Sequence, residues 1–69
     1  MKTKAQMYGE IGFRYVYLEY NSNIGEYEII QAFKSHYKRD KFIDSLPLSL
    51  QCSNKYLVLT INQAVKKGY

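Results

Sequence analysis

Residues 11–20, Ile-Gly-Phe-Arg-Tyr-Val-Tyr-Leu-Glu-Tyr, set the strongest condition on the fold. Aromatic and β-branched residues follow one another with no helical stripe, which is the composition of a strand. Phe13, Tyr15 and Tyr17 occupy one face and Val16, Leu18 and Tyr20 the other, so both faces are apolar. Such a strand is either central and covered on both sides, or it displays its aromatic side to a partner.

The rest of the chain has little with which to cover it. There are 69 residues and one cysteine, Cys52. A chain this short buries only ~60% of its unfolded surface, and its core supplies ~3–5 kcal/mol of net stability. A single domain over 1–69 is expected, with 1–9 and 63–69 as flexible or short extra elements, and a two-domain enzyme is excluded. No intramolecular disulfide can form, which favours a reducing, cytoplasmic setting. No apolar run reaches the ~18 residues of a membrane-spanning helix, and the basic start Met1-Lys2-Thr3-Lys4 leads into no apolar signal segment. No membrane partner is expected.

After the break Asn21-Ser22-Asn23-Ile24-Gly25, Asn23 and Glu26 have the spacing of a capping box. They predict a helix from Ile24 to Lys41, with Ile29, Ile30, Phe33 and Tyr37 in one core-facing stripe. Glutamates at its start and lysines at its end complement the helix dipole. Pro47 bars its continuation. Residues 48–52 and 55–62 then predict a hairpin about Ser53-Asn54, in which Leu48, Leu50, Leu57, Leu59 and Ile61 share a face. The expected core is Leu50, Leu57, Leu59, Ile30 and Phe33. Residues 63–69 add a helical turn and a basic tail. The fold class is α+β in the order β-α-β-β, one amphipathic helix on a three-stranded, mainly antiparallel sheet, with the other face of the sheet uncovered.

Two groups of residues can carry binding. Phe13, Tyr15, Tyr17 and Tyr56 would meet on the uncovered sheet face, as the apolar centre of a protein interface or as a stacking platform for bases. The alternative is that Phe13 and Tyr17 are simply core. Tyr27, Gln31, Lys34, Lys38 and Lys41 would align on the helix as a basic stripe for a partner or for phosphates; the plainer alternative is a solvated helix face. Charge is unevenly placed: residues 1–33 carry three cations and four anions, residues 34–69 seven cations and two anions. That asymmetry points toward an acidic or polyanionic partner.

Catalytic and metal chemistry have no motif here. No Cys-x-x-Cys, His-x-x-x-His or acidic cluster supplies metal ligands. His36 and Cys52 have no orienting third group, and a lone cysteine is more often packing. Gly9-Glu10-Ile11-Gly12 lacks the spacing of a phosphate loop. Asp40 and Asp44, flanked by lysines, read as solvated ion partners. No cofactor and no enzymatic activity are expected.

A bias toward Tyr, Lys, Ile, Asn and Phe over Gly, Ala, Arg and Pro suggests an AT-rich coding sequence. In type the chain resembles the accessory proteins of phages and mobile elements. The leading expectation is a small binding protein that docks on a larger macromolecular machine handling nucleic acid, and inhibits it by steric blockade. Direct RNA or DNA binding is the alternative, and an obligate homodimer with a structural role the second alternative.

Overall fold

Val16, Tyr17 and Leu18 are completely excluded from solvent, so the apolar strand is central and covered on both faces. The computed structural model describes residues 2–51 and 55–69. Its elements are α1 (Lys4–Glu10), β1 (Tyr15–Asn21), β2 (Glu26–Phe33), α2 (His36–Asp44), α3 (Leu48–Gln51), β3 (Tyr56–Thr60) and α4 (Ile61–Lys66). The three strands form one sheet in the order β2-β1-β3, and β1 is antiparallel to both neighbours. The fold is α+β with a three-stranded antiparallel sheet.

The order β-α-β-β is corrected. Residues 26–33, expected in the long helix, form strand β2, and the helix begins only at His36. The pairing shows why the pattern misleads. Tyr17 faces Gln31 and Leu18 faces Ile29, leaving Ile30 as an extra residue in a β-bulge. The bulge interrupts the alternation of Tyr27, Ile29 and Ala32 and sets Ile29, Ile30 and Phe33 at spacings that imitate a helical stripe. Ile30 is 50% exposed and does not belong to the core.

Asn23 does not cap a helix. The side-chain Oδ1 of Asn21 accepts from the Asn23 amide at 2.9 Å, and the Asn21 carbonyl accepts from the Gly25 amide at 2.8 Å. Gly25 has φ +70°, a left-handed geometry suited to glycine. The segment is the turn of a β1–β2 hairpin. The cap of α2 is Ser35, whose hydroxyl accepts from the Lys38 amide at 3.3 Å.

Residues 48–51 are helical, not extended. Proline favours the start of a helix as much as it ends one, and here Pro47 precedes α3. Leu48 is therefore not paired with Leu59. The pairing of Cys52 with Lys55, the Ser53-Asn54 turn and the side chain of Leu50 lie outside the described residues. β3 pairs with β1 instead, Leu57 opposite Leu18 and Leu59 opposite Val16. The alternation expected for 56–60 holds, since Leu57 and Leu59 pack against the buried core of Ala5, Val16, Leu18 and Ala64.

Two short helices cover this first face of the sheet. Thr3 with Gln6 caps α1 and Thr60 with Gln63 caps α4, each as a reciprocal capping box. The helices meet closely at Gly9, where a Cβ would stand 2.9 Å from Ile61 Cγ2. The second face is covered by α2. Phe42 packs edge-on against Tyr17, ring centroids 5.0 Å apart, and lies 5.2 Å from Phe33. The sheet face expected to be uncovered thus has a lid, because the shorter helix returns across it.

Candidate docking surface

Tyr15, Tyr17 and Tyr56 share the second face, since Tyr15 and Tyr17 are alternate residues of β1 and Tyr56 pairs opposite Glu19. They do not form an open aromatic platform. Tyr17 is fully buried, between Phe42 and Tyr56, the latter at 5.9 Å. Its hydroxyl donates to Glu19 Oε2 at 2.9 Å. The reading of Tyr17 as core is the one the packing supports.

Burial, then the hydrogen bond and charge of Glu19, push the Tyr17 phenol up to about 12. In the unfolded chain it ionises near ~10. The folded state therefore holds this proton more tightly, so its contribution is complete below pH ~10 and is lost as pH rises toward 12. Wild type should lose about 2–3 kcal/mol of stability across that interval from this group, and Tyr17→Phe should show a flatter alkaline profile in urea melts. Equal slopes for the two proteins would place the alkaline loss on other residues.

Phe13 and Tyr15 are half-buried, and each ring carries a cation. Lys34 Nζ lies 5.3 Å from the centroid of Phe13, and the Arg39 guanidinium carbon 4.5 Å from that of Tyr15. Phe13 also meets Tyr8 in a T-shaped contact at 5.5 Å. Arg39 also pairs with Asp40 at 3.0 Å. Its place over Tyr15 follows from its position one turn before Phe42 on the covering face of α2.

The expected basic stripe is broken up. Tyr27 and Gln31 are strand residues on opposite faces, on either side of the bulge, with Tyr27 stacked edge-on with Tyr20 at 5.4 Å. Lys41 lies 5.5 Å from the Tyr37 ring on α2. Gln31, Lys34 and Lys38, however, do converge. With Phe13, Ala32, Phe33 and Phe42 they line an open hollow of about 450 Å³ at the outer edge of β2. A second hollow, of about 360 Å³, lies toward β3, where Phe13, Arg14 and Tyr15 face Thr60, Ile61 and Asn62. Phe13 stands between the two.

Arg14, Lys34, Lys38 and Arg39 thus gather at one end of the hairpin, while Glu19, Glu26 and Glu28 lie toward its turn. Arg14 and Arg39 were not among the expected binding residues. Strand alternation indicates neither of them: it sets Arg14 on the face opposite Tyr15, and Arg39 depends on where α2 returns. Among the described residues no three histidines, cysteines or carboxylates converge to hold a metal, and no helix is long and apolar enough to cross a membrane. No family model matches the chain, and neither a curated protein nor a solved structure shows significant similarity to it.

Proposed function

We propose that this is a small non-enzymatic binding protein that docks on a larger protein assembly, using the surface where Phe13, Arg14 and Tyr15 meet Arg39. The observation that carries this reading is the Arg39 guanidinium held 4.5 Å over the half-buried Tyr15 ring, beside a hollow that already contains Phe13 and Arg14. Arginine and tyrosine seated at the centre of an interface are the residues that most often dominate its binding energy. The surrounding positive charge steers the approach of an acidic partner. Occupying a functional surface of that partner is sufficient for inhibition by blockade, as the accessory proteins of phages and mobile elements do.

The test is capture of partners by the immobilised chain, wild type beside Arg14→Glu/Arg39→Glu, with Lys66→Glu/Lys67→Glu as a charge-matched control. A specific protein should be retained by wild type and by the control, and bind the arginine variant at least ~30-fold more weakly, equivalent to about 2 kcal/mol. Equal retention by all three proteins would reject this surface.

Direct nucleic-acid binding has one observation in its favour, the convergence of Lys34 and Lys38 with three phenylalanine rings. It would show itself as a mobility shift with steep salt dependence, the slope falling by ~1 for each phosphate-contacting lysine removed.

A further inference from the structure

We infer that the free edge of β2 is the interface of a two-fold dimer of this chain, in which the Glu26–Glu28 end of one copy enters the Lys34–Lys38 hollow of the other. This stands apart from the docking surface above, which rests on Arg14 and Arg39.

β2 is the longer of the two edge strands, eight residues against five in β3. It ends the sheet order, and among the described residues no strand lies beyond it. An edge of that length presents backbone groups ready to pair with another strand. Of the usual protections it carries the bulge and two glutamates at one end. No proline or lysine lies within Glu26–Phe33, and the residue at its middle, Ile30, is an exposed isoleucine. The bulge bends this edge but occurs at the same place in both copies, so a two-fold axis near Ile30 sets bulge beside bulge.

The charge layout selects the occupant. Glu26 and Glu28 are exposed at one end of the strand, and Lys34 and Lys38 are exposed at the other. A uniformly acidic or basic peptide laid along the edge would suit one end and be repelled by the other. A second copy running antiparallel satisfies both ends at once, because the two-fold places acid against base twice. The receiving end is already hollow. Gln31, Phe33, Lys34 and Lys38 line it, with Phe13 and Phe42 as apolar walls. Pairing in this way joins two three-stranded sheets into one of six strands and buries both copies of Ile30 near the axis.

The experiment is sedimentation equilibrium over a concentration series, with three charge variants. Wild type should pass from the 8.2 kDa chain to twice that mass. Glu26→Lys/Glu28→Lys and Lys34→Glu/Lys38→Glu should each self-associate at least ~10-fold more weakly, since like charges then meet at both ends. An equimolar mixture of the two should recover the dimer, as should one chain carrying all four substitutions. All four positions are exposed, and circular dichroism confirms the fold of each variant. Amide hydrogen exchange on wild type provides a measurement that needs no variant: protection along 26–33 should rise with concentration. A wild type that stays monomeric throughout overturns the inference. So does a dimer that survives in both reversed variants, or one whose added protection falls on β3.

Discussion

Leu18→Ala leaves most of the chain unfolded at 37 °C. Leu18 is completely buried at the centre of the central strand, paired on one side with Ile29 and on the other with Leu57. Truncating a leucine in such a site removes its transfer free energy and leaves a cavity, at a cost of about 3–5 kcal/mol. That equals the whole reserve of a domain this size. Both flanking strands and both helices of the first face meet at this point, so no local rearrangement closes the gap. Thermal melts followed by circular dichroism check it. A melting temperature within a few degrees of wild type would show that the first face tolerates a void.

Phe42→Ala has the next largest effect and acts on the other face. α2 buries none of its residues fully. Its hold on the sheet rests on Phe42, wedged between Tyr17 and Phe33, with Arg39 over Tyr15 as a second attachment. Removing the ring should cost about 3 kcal/mol and release α2, leaving Tyr17 open to water. Phe42→Leu, which keeps much of the volume, should recover most of the loss. Hydrogen exchange distinguishes this from global unfolding: amides of 36–44 should lose protection first. If they keep it while the melting temperature falls, the helix is held by contacts other than this ring.

How far the sequence discloses the fold depends on the scale at which each signal acts. The β1 run was legible because six of residues 11–20 are β-branched or aromatic and both of its faces are apolar. The face shared by Leu57 and Leu59 was legible for the same reason, alternation over a short unbroken stretch. β2 was not, because its bulge lies between Ile29 and Gln31 and leaves two partial alternations in place of one. Residues 1–9 were expected only as a flexible or short extra element and Ile61-Asn62 as strand, although both end helices begin at capping boxes with glutamine in the last position, Thr3-Lys4-Ala5-Gln6 and Thr60-Ile61-Asn62-Gln63. Their shortness hides any apolar stripe. The docking residues divide in the same way. Tyr15 and Tyr56 share a face that strand alternation indicates. Arg39 reaches Tyr15 only because α2 folds back across the sheet, a contact between elements that no local pattern records.

The bulge also restricts how β2 can vary by descent. It acts as a frameshift within the strand: upstream of it Tyr27 and Ile29 point toward the helices of the first face, and downstream Ala32 does so. Loss of the Ile30 codon would restore unbroken alternation and leave Tyr27, Ile29 and Ala32 on the first face, whereas ironing out the bulge with Ile30 kept would turn Glu26 and Glu28 inward. The bulge is therefore the one place in this strand where a related sequence can lack a residue and keep its facing; other gaps belong in the hairpin turn.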